Sequence, residues 1–363
     1  MGVSDMRLIA FYLPQFHEIP ENNDAWGNGF TEWVNVKKGK RYLDFQRQPR
    51  VPLERNYYNL HDISVLKWQA ALAERYGIFG FCFYHYWFQG KMVLQTPVKN
   101  LLEHRQIGMN YCFAWANESW TKTWHGAGGN KEILIPQTYG GKEEWKEHYE
   151  YFQPYFQDAR YIKEGNRPVL LIYRLRNIPE FNQMIRYWND LAQADGFGGI
   201  FLISMDVAHE NVHMSCWVDG HVDFEPNRTK YELLNHPGSR QCCPMALDYE
   251  QFTEHMLSIP HGKNHYRTVF VDYDDTPRRG ERGICMKNAA PEAFGRSLSM
   301  SMELSRREGN ELLFLNAWNE WGEGNYLEPD EQYRYRYLEE VRTCMMRKAR
   351  GMETAPRGRK RKR

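Results

Sequence analysis

Eight short apolar runs, each bounded by chain breakers and separated by amphipathic stretches, leave this chain very few architectures. They are Arg7 to Phe16 (RLIAFYLPQF), Ile78 to Trp87, Met109 to Ala116, Pro168 to Tyr173, Gly199 to Met205, Cys216 to Phe224, Tyr266 to Tyr273 and Glu311 to Trp318. The clearest helical pattern follows Asp62, an N-cap residue. It places Val65, Trp68, Leu72 and Tyr76 at helical spacing and stops at Gly77. KEEWKEHYEYFQPYF, PEFNQMIRYWNDLAQADG, ALDYEQFTEHMLS, PEAFGRSLSMSMELSRREG and EQYRYRYLEEVRTCMM continue the alternation. Apolar strands alternating with amphipathic helices make a parallel sheet covered on its outer face. Eight such units predict an α/β fold, a closed (β/α)8 TIM barrel with long β–α loops, the longest from Glu18 to His61.

No repeat, linker or shift of composition marks a second domain, so residues 1–346 read as a single barrel. The end of the chain differs. From Arg347 onward Arg347, Lys348, Arg350, Arg357, Arg359, Lys360, Arg361, Lys362 and Arg363 face Glu353 alone, and residues 347–363 are predicted to be a disordered basic tail. The net charge is only +1, which argues against a dedicated nucleic-acid binder; the tail leaves open a peripheral contact with an anionic surface. Cys82, Cys112, Cys216, Cys242, Cys243, Cys285 and Cys344 are scattered without C-x-x-C spacing. That pattern indicates a reducing compartment rather than a disulfide or cysteine-zinc framework. With no signal peptide and no transmembrane run, the expectation is a soluble cytoplasmic protein.

In a parallel barrel the reactive groups gather where the β–α loops converge, at the C-terminal strand ends. Those ends carry Gln15 and His17, then His85 and Tyr86, then Asn117, Glu118 and Trp120, with Asp272 after the seventh run and Asn319, Glu320 and Glu323 after the eighth. The chain is 15% aromatic. Rings beside carboxylates and amides suit a sugar, which offers an apolar C–H face and an equator of hydroxyls. Trp33, Trp120, Trp124 and Trp321, with Trp26, are candidate stacking platforms, whereas Trp68, Trp145 and Trp188 fall at helical core spacing. Glu32, in GFTEWVNV, either meets a sugar hydroxyl or fixes the first loop. The densest stretch is NAWNEWGEGNYLEP, where Glu320 and Glu323 stand three apart between glycines. Two carboxyls in one pocket push their pKa values apart, the requirement for glycosidic bond cleavage. The alternative is that the pair caps the following helix.

The segment NEWGEGNYLEP resembles the signature of glycoside hydrolase family 99, the endo-α-mannosidases, and still more that of the WbsX-type family of polysaccharide and O-antigen biosynthesis loci. FYLPQFHEIPENNDAWGNGFTEWVNV, FCFYHYWF, FAWANESWT and DYDDTPRRG extend the resemblance from about Arg7 to Tyr337. It implies a glycoside hydrolase-like barrel whose substrate is an oligo- or polysaccharide, with Tyr12 of the first segment among the sugar-binding candidates. It further implies that Glu320 deprotonates the sugar 2-hydroxyl, which attacks the anomeric carbon to give a 1,2-anhydro sugar, while Glu323 serves as acid and then base. No cofactor and no metal are expected. Gly322 stands where the endo-mannosidases carry His, a departure that leaves the implied mechanism in place and bears on mannose specificity.

Two other signals compete. His209, Glu210 and His213 spell the H-E-x-x-H of zinc proteases, but on a stretch too short for the helix that motif needs. Asp272 and Asp274 form a D-x-D of the kind that holds a metal and a nucleotide sugar in glycosyltransferases, with no phosphate-binding loop beside it. A glycosyltransferase is therefore the second reading. A non-catalytic carbohydrate-binding barrel is the third.

Overall fold

A computed structural model describes residues 6–122, 132–208, 216–234 and 244–350. Its core is a ring of parallel strands: β1 (Arg7–Tyr12), β2 (Gly80–Phe88), β3 (Asn110–Trp115), β4 (Arg167–Ile172), β5 (Phe201–Asp206) and β6 (Gly220–Asp223), then β7 in two pieces (His265–Tyr266 and Thr268–Phe270) and β8 (Leu312–Asn316). Consecutive strands pair from β1 to β6. The ring closes through β7, whose first piece pairs with β6 and whose second pairs with β8, itself paired with β1. Every predicted run is a barrel strand. The first is shorter than predicted because Pro14 offers no N–H to a ladder, and the Leu13 N–H goes instead to Asn319 Oδ1 at 2.7 Å.

Alternation along each strand sorts residues into two layers. On β1, Phe11 points inward to Tyr84, Phe224 and Phe314. Its neighbour Tyr12 points outward to Phe81 and Phe83. The outer layer holds α3 (Ile63–Tyr76), α4 (Thr96–Glu103), α5 (Lys142–Phe156), α6 (Phe181–Ala194), α7 (Asn227–Leu234), α8 (Tyr249–Ser258), α10 (Pro291–Arg307) and α11 (Arg336–Arg350), while α1 (Pro20–Trp26) and α2 (Glu32–Lys38) lie in the long first loop and α9 (Thr276–Arg279) follows β7. Asp62 caps α3 by accepting from the Ser64 N–H at 2.8 Å, and Gly77 ends it in the left-handed region. The buried residues of α3 are Leu66, Gln69, Ala70, Leu72, Ala73 and Tyr76, so Leu72 and Tyr76 are core as their spacing indicated, while Val65 and Trp68 are only partly buried. Trp145 and Trp188 are core, as their spacing indicated.

The last helix runs to Arg350, four residues into the stretch predicted to be disordered. The tail beyond it lies outside the described residues, as do Cys242, Cys243 and the His209–His213 motif. Among the described residues no helix is long and apolar enough to cross a membrane.

Candidate active site

The barrel's C-terminal end opens into a cleft of about 600 Å³, mouth included. Tyr84 and Tyr86 of β2 form one wall with Glu118 and Trp120, Tyr173 and Phe224 form another, and Arg278, Glu320 and Glu323 form the floor. Both carboxylates come from one tight turn. Asn319–Glu320 pairs antiparallel with Asn325–Tyr326, and a single helical turn, Trp321–Glu323, links them through Gly324 at φ +62°. The chain reverses so quickly that residues three apart face the same space. Neither caps a helix, since α11 begins only at Arg336.

Arg278 of α9 binds the turn from behind. Its Nη2 donates to Glu320 at 3.1 Å, its Nη1 to Glu323 at 2.7 Å, and its Nε to Glu32 of α2 at 2.7 Å. Three carboxylates thus share one cation. Burial pushes Glu320 up to about 8; Arg278 pulls against that, and the like charges of Glu323 and Glu32 add to it. Burial also raises Glu32, against the pull of Arg278. The cluster therefore retains a proton at neutral pH, the condition a general acid must meet. Glu323 is the member nearest solvent, with 23% of its side chain exposed.

Gly322 is dictated by this arrangement. A Cβ there would stand 1.9 Å from Glu32 Oε1 and 2.7 Å from Arg278 Nε. The ion pair fills the room that a side chain at this position would need. Gly322→Ala is expected to displace the pair, destabilise the fold by about 1–3 kcal/mol and lower turnover more than tenfold relative to wild type, read by urea unfolding and initial rates.

Behind the turn Glu328 accepts four hydrogen bonds, from Trp321 Nε1 (2.7 Å), Gln69 Nε2 (2.7 Å), Tyr58 OH (2.9 Å) and Trp318 Nε1 (3.0 Å). Burial lifts it to about 7, while those donors hold it down. Tyr12 completes the network by donating to Gln69 Oε1 at 2.7 Å. Glu328→Gln puts an amide N–H against donors and is expected to cost about 1–3 kcal/mol in urea unfolding.

Tyr86, Glu118 and Trp120 line the cleft as predicted, with Glu118 held by Arg174 Nε at 3.0 Å. Glu32 is buried behind the turn, where it anchors Arg278. Trp124 lies outside the described residues. The other sugar-binding candidates are not among the residues that line the cleft. Tyr12 and His85 sit on outward positions of their strands, Tyr12 against Gln69 of α3 and His85 2.9 Å from His148 of α5. His85 lines a smaller cavity, with Phe83 and Val98, that contains neither carboxylate. Asn117 and Asn319 staple loops: Asn117 exchanges hydrogen bonds with the Arg174 backbone, and Asn319 does the same with Leu13. Gln15 and His17 are fully buried in the first loop, Gln15 accepting the Glu32 N–H at its carbonyl and His17 packing edge-on to His61. Trp33 donates to the Tyr58 carbonyl, and Trp321 stacks on Tyr326 with its N–H on Glu328, so both support the cleft from beneath. Trp26 packs on Phe30 in the first loop. Asp272 pairs with Arg47 and Arg50, and Asp274 takes Gln46 and Thr276, so the D-x-D carboxylates are engaged by the protein itself.

The sequence profile of the family described as Glycosyltransferase WbsX matches residues 8–341. The chain belongs to the WbsX family. Xanthomonas campestris pv. campestris carries a relative named Uncharacterized protein WxcX, 33% identical over 351 residues that cover 94% of this chain and 50% of the relative. This WbsX chain thus spans about half the length of the curated relatives it matches. Among solved structures it is similar to the GH99 endo-alpha-mannosidase of Bacteroides thetaiotaomicron, with a TM-score of 0.61 at 14% identity over 96% of this chain and 99% of that one. A chain described as a glycoside hydrolase-like protein gives 0.61 at 13% identity, covering 95% of each. At such identities the likeness shows the fold, which is the (β/α)8 barrel the sequence predicts.

Proposed function

We propose that the cleft breaks an α-linked, mannose-like glycosidic bond in an oligo- or polysaccharide, with retention of configuration. The observation that carries this reading is the Glu320–Glu323 pair on Arg278 with one member raised to about 8. Glu320 takes the proton of the 2-hydroxyl as O2 bonds to the anomeric carbon; the bond to the leaving oxygen breaks, and Glu323 supplies that oxygen with its proton. Glu323 then deprotonates water, the water oxygen bonds to the anomeric carbon, the C1–O2 bond opens, and O2 recovers the proton from Glu320. Burial raises Glu320 in the free cleft, so its role as base requires that it give up its proton once the sugar is docked.

The aromatic walls, and the fold shared with an endo-alpha-mannosidase, support a carbohydrate substrate. The excess of carboxylates over cations in the cleft suits a neutral glycan better than a nucleotide diphosphate. The family's own description favours a second reading: an acceptor hydroxyl replaces water in the second step, giving glycosyl transfer without a nucleotide. A barrel that merely binds neutral glycan has no use for buried, mutually repelling carboxyls.

A screen against α-linked mannans and mixed bacterial polysaccharides tests the proposal; release of fragments supports it, and silence across the panel with glycan bound overturns it. On a cleaved substrate kcat/KM is expected to fall as pH rises through about 8, because there the pair loses its last proton.

A further inference from the structure

On the outer side of the barrel, where β6 meets β7, a second polar cluster stands apart from the cleft. Asp223 ends β6; its Oδ2 lies 2.7 Å from His261 Nε2 and its Oδ1 lies 2.7 Å from His265 Nε2. The two imidazoles meet edge to face with centroids 4.0 Å apart. All three side chains bring ligand atoms within 4.8 Å of one another. Backbone register enforces the meeting, since His265 of β7 pairs with His221 of β6, two residues before Asp223 and therefore on the same face. His261 precedes His265 by four residues and folds back over it. The Asp223 and His261 side chains are sealed at 3% exposure each, whereas His265 is open at 34%.

Charged groups of both signs surround the cluster. Arg228 Nε lies 3.4 Å from both Asp206 and Asp223, and its Nη1 lies 3.6 Å from Glu232, which also meets His255 Nε2 at 3.3 Å. Two imidazoles and a carboxylate are the donors that zinc and its neighbours accept, whereas calcium and magnesium take oxygen alone. We infer that Asp223, His261 and His265 bind a divalent transition-metal ion, Zn²⁺ foremost, with water entering beside His265 to complete the coordination. A tetrahedral ion with bonds near 2.1 Å spreads its ligands to about 3.4 Å. The 2.7 Å contacts must therefore open by roughly 0.7 Å; the exposed His265 ring can swing outward, and the His261 contact must open within the packing. Bound there, the ion ties β6 to β7 where the ring closes through a divided strand.

The test uses the untagged full chain, stripped with EDTA and titrated with Zn²⁺ by calorimetry and with Co²⁺ by visible absorption. The expected result is one ion per chain, Co²⁺ ligand-field bands, and a thermal midpoint that rises with free Zn²⁺. His265→Asn, at the exposed ligand, and Asp223→Asn, which preserves shape, are each expected to weaken Zn²⁺ binding more than about tenfold. Absence of saturable binding overturns the inference and leaves the histidines as a hydrogen-bonded clamp on Asp223. So does binding that survives both variants and is lost in His209→Gln, which would put the ion at the H-E-x-x-H stretch.

Discussion

Glu323→Gln is expected to lower kcat on a natural glycan by about a thousandfold or more, with substrate binding little changed. Glu320→Gln is expected to lose as much. An activated substrate separates the two roles. An aryl glycoside with a leaving group that needs no proton should recover much of the lost rate in Glu323→Gln and little in Glu320→Gln, because the 2-hydroxyl still requires its base. Recovery in Glu320→Gln instead would exchange the roles and make Glu320 the donor, in keeping with the burial that raises it to about 8 in the free cleft. Full activity in either variant removes the pair from the chemistry.

Arg278→Met should produce the largest loss of stability at the site. Arg278 is buried and holds Glu32, Glu320 and Glu323 together. Removing one partner of a buried ion cluster costs about 3–5 kcal/mol, because charges are left without compensation. The carboxyls answer by keeping their protons, so the pKa of Glu320 moves further up and the alkaline limb of kcat/KM moves with it. Arg278→Lys should rescue little, since one ammonium cannot span three carboxylates from a fixed stem. Urea unfolding and a pH–rate profile together check this. Wild-type stability in Arg278→Met would mean that the three carboxyls are already neutral.

The ring itself was legible, because eight apolar runs at regular intervals fit few other folds. So was the chemistry-bearing turn, where two glutamates and two glycines crowd five residues. The side of the barrel each strand-end residue faces was not. His85 lies between Tyr84 and Tyr86, which line the cleft, and period two sends it to the helices. Applied to β1, the same rule would have kept Tyr12 out of the sugar-binding candidates; applied to β2, it would have brought Tyr84 in. Asn117 and Asn319 look like sugar ligands because the amide that satisfies a loop carbonyl is the amide that satisfies a hydroxyl. Arg278 passed unremarked in DYDDTPRRG because its meaning depends on Glu32, 246 residues away in the chain. Glu328 sat inside the quoted signature, yet nothing local reveals that two tryptophans, a tyrosine and a glutamine converge on it.

The glutamates of that signature divide inheritance from activity. Glu320 and Glu323 face the cleft, whereas Glu328 is sealed among four donors in the packing beneath it. A duplicated gene could lose either of the first two by a single substitution and still encode this barrel, a folded descendant without chemistry. Losing the third would undermine the turn that carries the others. Among descendants of such a barrel, Glu328 marks common ancestry, and only those that also keep Glu320 and Glu323 are expected to be working enzymes.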